Sequence, residues 1–206
     1  MVALLVSTLA IGTSSAQARS RLLDDPLLTE ASPTLAPFQH VRFCLRYPAE
    51  CKSNPSEDDS IELTGKNSEL LTRVNHDVNA AIIPATKSYG TKLKDGWTIA
   101  PSMGDCNDYA VTKRHELLQS GLPAKALRLA VVKTPSEMGH LVLLVATTKG
   151  DMVLDNLAEA IRPWQSTDYH WLKIQSARDA RFWYDIKASR ALQSQADQRQ
   201  HFAQWR

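Results

Sequence analysis

Three residues of this 206-residue chain carry the side chains that acyl transfer by a cysteine requires: Cys106, His140 and Asp155. In that chemistry a thiolate attacks a carbonyl carbon, an imidazole moves the proton and a carboxylate orients the imidazole. Cys106 follows Asp105, which favours the N-cap of a helix, so Cys106 is predicted to be the first helical residue. The positive end of the helix dipole would then favour the thiolate, whereas the charges of Asp105 and Asp108 oppose it.

Each of these three residues also has a structural interpretation. Cys106 could be a small buried apolar side chain, and His140 could be a hydrogen-bonded residue at a strand edge. Asp155 and Asn156 precede the segment LAEAI, where they would cap a helix. For Asp155 taken alone, the helix cap is the stronger interpretation.

The spacing of His140 and Asp155 favours a shared site. Both lie on predicted strands, HLVLLVATT and MVLDN, and TKGD between them is typical of a hairpin turn. Because strand side chains alternate between faces, any turn with an even number of residues places His140 and Asp155 on the same face. A four-residue turn over 147–150 puts Asp155 two positions from the cross-strand partner of His140, about 7–8 Å away at Cα. An odd turn or a bulge would separate them.

The elements around these residues predict an α+β fold. Apolar residues at helical spacing predict a helix between Glu69 and Ile83, stopped by Pro84. A second helix begins at Cys106 and ends at SGLP, with Gly121 in the C′ position. The β-rich runs that follow are KALRLAVVK, HLVLLVATT, MVLDN, YHWLKIQ and RFWYDI. A helix followed by several antiparallel strands is typical of an α+β domain, with the nucleophile's helix packed on the sheet.

The N-terminal segment MVALLVSTLAIGTSSAQA has the pattern of a secretory signal, with an apolar stretch and an Ala-Gln-Ala cleavage site ending at Ala18. It lacks the basic residue that normally precedes the apolar stretch, and a buried N-terminal helix or strand is the alternative. We expect a signal peptide over 1–18 and a proline-containing linker or extended arm over 19–37. The folded domain is expected over 38–186, and a polar C-terminal helix or tail over 187–206.

Export would change the interpretation of the three cysteines. In an oxidising compartment Cys44 and Cys51 can form a disulfide that closes a short loop, which stabilises by about 2–3 kcal/mol in the chain-entropy model. Two free buried thiols are the alternative. With Cys44 and Cys51 paired, Cys106 is the odd cysteine, which indicates either an intermolecular bond or a reactive thiol.

Other functional classes find little support in the sequence. The net charge of +2 gives no basic stripe for a nucleic-acid partner, and no apolar run is long enough to span a bilayer. The segment HELLQ has glutamine where a zinc-protease helix has its second histidine, and no phosphate-binding glycine loop is present. The remaining histidines are interpreted as structural or surface residues: His40, His76, His170 and His201.

The segments GDCNDYAVTKRHELLQSGLP, LRLAVV, GHLVLLV and MVLDNL resemble the bacterial transglutaminase-like cysteine proteinases, which include the LapG-type periplasmic proteases. FCLRYPAEC and RVNHDVNAAI resemble them too, so the similarity spans about 38–186. The resemblance implies a papain-like or transglutaminase-like fold, with Cys106 as nucleophile, His140 as base and acid, and Asp155 as the orienting group. It also implies a periplasmic or secreted protein with a protein or peptide substrate, such as a cell-surface or periplasmic protein.

The resemblance also bears on metal binding and on the oxyanion. LapG-type proteases bind calcium through acidic residues beside the nucleophile; here Asp105 matches, but Asn107 stands where a glutamate is expected. The amide can ligate calcium but removes a charge, so a site at Asp105 and Asn107 should be weak. No cofactor is required by the three-residue chemistry. Trp97 is a candidate to donate its indole N–H to the oxyanion, and a core aromatic is the alternative.

Together these observations predict an exported cysteine peptidase or amidase that forms a thioester with its substrate. An amine in place of water as the acceptor would make the same site a transglutaminase. A periplasmic binding or regulatory module of the same fold, without turnover, is the third interpretation. The presence of Cys106, His140 and Asp155 together argues against it.

Overall fold

The structure is a computed structural model that describes residues 27–85 and 96–186. The predicted signal peptide (1–18), the start of the predicted arm and the predicted tail (187–206) lie outside these ranges. Within them the chain forms helices α1 (Phe38–Arg46), α2 (Gly65–Ala81) and α3 (Cys106–Gln119). No helix in the described part of the chain combines the length and apolar character needed to cross a membrane.

The described residues form the strands β1 (Glu30–Thr34), β2 (Ile83–Pro84), β3 (Met103–Gly104), β4 (Leu127–Lys133), β5 (Gly139–Thr147), β6 (Gly150–Leu154), β7 (Arg162–Pro163), β8 (His170–Gln175) and β9 (Trp183–Ile186). Seven of them form one antiparallel sheet in the order β1-β9-β8-β4-β5-β6-β7, and β2 and β3 form a separate parallel pair. Helices packed on a large antiparallel sheet confirm the predicted α+β class.

The central strands β4 and β5 are buried on both faces, and their side chains alternate between two cores. Leu129, Leu141 and Leu143 contribute to the core that includes the helices. Val132 and Val142 contribute to a second core on the opposite face of the sheet, with Trp164, Trp171 and Ile174 among its members. The period of two thus explains why these strands are continuous apolar runs in the sequence.

Both predicted helices are present. Thr64 caps α2 by accepting a hydrogen bond from the Asn67 backbone N–H, and the helix ends at Ala81, before Pro84. Gly121 follows the C-cap of α3 with φ +86, which glycine adopts without steric cost. Helix α3 is buried around most of its circumference because it packs against both α2 and β5.

Part of the predicted arm belongs to the sheet. Glu30–Thr34 forms edge strand β1, which pairs antiparallel with β9. The Leu28 backbone N–H donates to the Asp151 carboxylate at 2.6 Å, and Asp151 also accepts from Arg128. The ordered structure therefore begins before residue 38.

The predicted disulfide between Cys44 and Cys51 is present and ties α1 to the turn that follows it. Next to it lies His40, which is 1% exposed and surrounded by the rings of Phe43, Trp97 and Trp183. His40 Nδ1 accepts from the Trp183 indole N–H at 3.1 Å, so the neutral ring fits this environment. Burial, and then the charge of Arg114, lowers the pKa of His40 from 6.5 to about 4.

Acid is therefore expected to destabilise the fold through His40. Its pKa is lower in the folded state than in the unfolded state, so the unfolded chain binds the proton first as the pH falls. The contribution of neutral His40 to the free energy of unfolding is complete above pH 6.5. It is lost as the pH falls toward 4, by about 3 kcal/mol in total. Urea unfolding of the wild type and His40→Asn from pH 7 to 4 measures this loss. The difference in stability between the two should shrink as the pH falls, and parallel curves would contradict the prediction.

Candidate active site

The first turn of α3 is built by a capping box around Cys106. The Asp105 side chain accepts from the Asn107 backbone N–H at 3.0 Å, and the Asp108 side chain accepts from the Asp105 N–H at 3.0 Å. Cys106 is the first residue of the helix, as predicted, and its side chain is partly exposed. With the Cys44–Cys51 disulfide formed, it is the free thiol of the chain.

Asp108 holds the loop before Cys106 as well as the helix start. Its side chain is fully buried, and its second oxygen accepts from the Thr98 backbone N–H at 2.9 Å. Gly104 packs so closely against it that a Cβ there would lie 2.6 Å from an Asp108 oxygen. Asp108 is therefore an internal cap whose charge is engaged by backbone N–H groups.

The hairpin of β5 and β6 brings His140 and Asp155 together. Thr147 pairs with Gly150 and Leu143 with Leu154, which is the register predicted for an even turn. Asp155 follows β6, two positions short of the point opposite His140 in this register. The two side chains meet with His140 Nε2 2.8 Å from Asp155 Oδ1, and both residues are buried.

The Cys106 thiol lies close enough to the His140 ring to raise the pKa of the ring. Since Nε2 is bonded to Asp155, Nδ1 is the ring nitrogen left for the sulfur. Burial alone would lower the pKa of His140, but its hydrogen bonds to Asp155 and Cys106, together with their charges, raise it to about 9. An imidazolium that persists through neutral pH is suited to stabilising a neighbouring thiolate.

Asp155 is held by several donors. Its Oδ1 also accepts from the Leu157 backbone N–H at 3.0 Å, and the Tyr169 hydroxyl donates to its Oδ2. Burial would raise the pKa of Asp155, but the hydrogen bond and charge of His140 and the donors Leu157 and Tyr169 lower it overall. The bond to Leu157 is the local cap that the sequence suggested, although 156–161 form no helix. Asp155 makes the cap contact and the histidine contact at once.

Tyr169 is a member of this cluster that the sequence did not identify. It lies just before β8, its ring packs edge-on against His140 at 5.7 Å between centroids, and it also contacts Trp171. Burial, and then the hydrogen bond to Asp155 and the charge of Asp155, raises the pKa of Tyr169. The hydroxyl therefore stays protonated and donates to the carboxylate. In the sequence Tyr169 has no feature that separates it from other aromatic residues of strands.

Tyr169→Phe is expected to slow the chemistry without unfolding the protein. The ring contacts remain, but Asp155 loses a donor that lowers its pKa, so the acidic limb of the pH–rate profile should move to higher pH. We expect kcat/KM at neutral pH to fall about three- to tenfold, the value of one ordinary hydrogen bond. Tyr47→Phe, on a tyrosine that packs against Phe43, is the control. An unchanged profile in Tyr169→Phe would contradict the prediction.

The other candidate residues are placed as follows. Trp97 is 5% exposed and packs against His40 and Phe43 in the core, which fits the core-aromatic alternative. Asp105 and Asn107 contact one another: Asp105 Oδ1 accepts from both the backbone and the side-chain amide of Asn107, at 3.0 and 2.9 Å. His76 is exposed on α2 beside Asp77.

Comparisons with known proteins agree with this fold. The chain is similar to Legionella pneumophila LapG, with 20% identity over 79% of this chain and 91% of that one, and a TM-score of 0.50. It is also similar to the calcium-bound form of the same protein, with 19% identity over 88% and 98% of the two chains and a TM-score of 0.50. At this identity the likeness concerns the fold.

No match is found among curated proteins. A family model does match most of the chain, over residues 30–191, and it describes the bacterial transglutaminase-like cysteine proteinases (BTLCP). It covers the strands, the helices and the cluster of Cys106, His140 and Asp155. The chain therefore belongs to the bacterial transglutaminase-like cysteine proteinase family.

Proposed function

We propose that this protein is a cysteine peptidase whose nucleophile is Cys106, with His140 as acid and base and Asp155 as the orienting group. The observation that carries the proposal is the buried His140–Asp155 pair at 2.8 Å, with the Cys106 thiol at a helix N-terminus close enough to raise the pKa of the ring. Membership of a cysteine proteinase family supports the same chemistry. Tyr169 completes the arrangement by engaging the second carboxylate oxygen.

In the acylation step the Cys106 sulfur attacks the carbonyl carbon of a peptide bond. The oxyanion that forms would accept from the Cys106 backbone N–H, which has no partner within the helix at this position. His140 then transfers its Nδ1 proton to the amine nitrogen, the C–N bond breaks and the amine leaves. The products of this step are a thioester on Cys106 and a neutral His140.

In the deacylation step neutral His140 accepts a proton from water as the water oxygen attacks the thioester carbon. The C–S bond breaks, the carboxylic acid leaves and the Cys106 thiolate returns to its pairing with the His140 imidazolium. Asp155 keeps Nε2–H of the ring bonded throughout, so Nδ1 faces the reacting atoms in both steps.

Incubation with a peptide library and a labelled primary amine tests the proposal. We expect cleaved peptides with new carboxyl termini, and none with Cys106→Ser. Incorporation of the amine without cleavage would favour acyl transfer to amines instead. If neither product forms, and iodoacetamide alkylates Cys106 no faster than an ordinary thiol, the result would favour a non-catalytic binding module.

We also propose that the protein is exported, with the predicted 1–18 signal peptide removed and the mature chain in the periplasm or secreted. The Cys44–Cys51 disulfide supports export because such bonds persist in oxidising compartments and are rare in the cytosol. A cell-surface or periplasmic protein would then be the accessible substrate. Fractionation of cells, followed by N-terminal sequencing of the mature protein, tests both points.

Calcium deserves a direct test because a calcium-bound form of LapG shares this fold. The matching residues here are Asp105 and Asn107, but their arrangement does not fit the ion. Asp105 Oδ1 already accepts two N–H donors from Asn107, and the Asn107 amide directs its nitrogen toward the carboxylate. Asp108 is engaged by the N–H groups of Thr98 and Asp105. A calcium ion needs six to eight converging oxygens, and Asp105, Asn107 and Asp108 do not offer them.

Removal of calcium is therefore expected to have little effect on this enzyme. Chelation with EGTA should change kcat/KM by less than about twofold, since a single charged side chain gives a weak calcium site. Asn107→Glu adds the missing charge, and its melting temperature should rise with added calcium more than that of the wild type. Loss of most activity in EGTA, restored by calcium, would contradict the prediction.

A further inference from the structure

The chain segment that carries Asp155 is bound by polar side chains of two helices, α2 and α3. Asn75 lies on the buried face of α2 and Lys113 lies on α3, and both side chains are fully buried. Asn79 lies one turn after Asn75 on the same side of α2. None of the three has a part in the acyl transfer proposed above, although buried polar groups of this kind are costly unless paired.

The Asn75 amide uses all of its hydrogen-bonding capacity here. Its Oδ1 accepts from Lys113 Nζ at 2.8 Å and from the Asp155 backbone N–H at 3.0 Å. Its Nδ2 donates to the carbonyl oxygens of Ala158 and Glu159, at 3.0 and 2.8 Å. Two donors on one side and two acceptors on the other fix the orientation of the amide.

Asn79 completes the contact with Asp155. Its Nδ2 donates to the Asp155 carbonyl oxygen at 3.0 Å, so α2 binds both the N–H and the C=O of this residue. The carboxylate is bound from the other side by His140 and Tyr169. The main chain and side chain of Asp155 are thus located by different elements.

Lys113 connects this arrangement to the helix of the nucleophile. It lies seven residues after Cys106 on α3, which is about two helical turns and the same side of the helix. Burial lowers the pKa of Lys113 to about 7, while the negative charge of Asp155 raises it. The Asp155 charge is therefore close enough to act on the Lys113 amine, and the attraction is mutual.

We propose that Lys113, Asn75 and Asn79, named here the Asp155 clamp, are positioning residues that set the Asp155 carboxylate at the distance from His140 at which it stabilises the imidazolium. The inference rests on the proposed function, because it assigns to these residues an effect on the Cys106–His140 pair. Helix α3 carries both Cys106, the proposed nucleophile, and Lys113, which donates to the Asn75 amide of the clamp.

The alternative is that the clamp stabilises the fold and leaves the reactivity of Cys106 unchanged. The two hypotheses predict different rates of alkylation of Cys106 by iodoacetamide in the folded protein. This reaction, in which the sulfur displaces iodide, reports the thiolate and needs no peptide substrate. The groups that act on the His140 ring are Asp155, Cys106 and Tyr169. Of these, the clamp contacts Asp155.

The experiment measures alkylation as a function of pH in Lys113→Met and Asn79→Ala, each alone and combined with Asp155→Asn. Lys113→Met keeps the approximate volume of the side chain and removes the donor to Asn75. Asn79 is only half-buried, so Asn79→Ala still tests the inference if Lys113→Met does not fold. Asn67→Ala is the matched control: it removes an amide-to-carbonyl hydrogen bond from the same helix, at its far end. Near-ultraviolet circular dichroism gives the folded fraction.

We expect each clamp variant to slow alkylation at neutral pH about five- to tenfold and to move its pH midpoint upward, as for the loss of one buried hydrogen bond. In the Asp155→Asn background the same changes should have no further effect, because the clamp acts through Asp155. Wild-type rates in the folded clamp variants, or effects that multiply with Asp155→Asn, would overturn the inference. Failure to find any peptide cleavage would count against the proposed function and leave this measurement intact.

Discussion

His140→Ala is expected to lower kcat/KM for peptide hydrolysis about 10²- to 10⁴-fold, the contribution of a positioned acid–base group. In the wild type His140 stays protonated up to a pH of about 9, because hydrogen bonds to Asp155 and Cys106 and the charges of these two residues raise its pKa. The variant loses both this positive charge and the proton donor for the leaving amine. Iodoacetamide alkylation of Cys106 should therefore slow at neutral pH and recover only at alkaline pH.

The control for this prediction is His76→Ala, which removes an exposed histidine that contacts only its neighbour Asp77 among the charged groups described. Its hydrolysis and alkylation rates should equal those of the wild type. Superimposable alkylation profiles for the wild type and His140→Ala would show that Cys106 has no imidazolium partner. In that case the proposed acyl transfer could not proceed as written.

Asp151→Ala is expected to cost about 3–5 kcal/mol of unfolding free energy, the usual cost of removing one partner from a buried ion pair. Asp151 is fully buried, and its two oxygens lie 3.1 Å from Arg128 Nη2. It also accepts from the Leu28 backbone N–H. The change leaves the Arg128 charge buried with Glu30 4.0 Å away, and it releases the segment that leads into β1.

Replacing both partners separates charge burial from packing. Arg128→Met combined with Asp151→Leu fills the space with apolar groups and leaves no unpaired charge, so it should be more stable than Asp151→Ala. Asp151→Asn, which keeps the acceptor for Leu28, should fall between the wild type and Asp151→Ala. Denaturant midpoints with unchanged slopes measure all four chains. A double variant as unstable as Asp151→Ala would show that the Leu28 contact, and not the ion pair, dominates.

Several features of the candidate site could be predicted because they depend on local rules. Asp105 marks the start of a helix by its capping chemistry, and this places Cys106 at the N-terminus of α3. The period of two along a strand and an even turn put His140 and Asp155 on one face. The short separation of Cys44 and Cys51, with an exported context, indicates their disulfide. Each of these inferences spans a few residues or one hairpin.

The arm and Trp97 show where local rules stop. Residues 30–34 contain Pro33 and polar side chains and have no strand pattern, but β9 offers them an edge, and edge strands tolerate proline. Trp97 suited either an oxyanion donor or a core position, and only its packing against α1 brings the rings of His40 and Phe43 to it. In both cases the partner is remote in the chain, so no spacing within the segment predicts it.

The sequence by itself determined the helix that starts at Cys106, the hairpin that pairs His140 with Asp155, and the chemistry these three types of side chain can perform. The tertiary structure alone decided what surrounds them. Tyr169 reaches Asp155 because β8 pairs with β4, beside β5, and Asn75 reaches it because α2 packs under the same segment. Capping and alternation act between chain neighbours, whereas contacts between Asp155 and residues far away in the chain exist only once helices and sheet have packed.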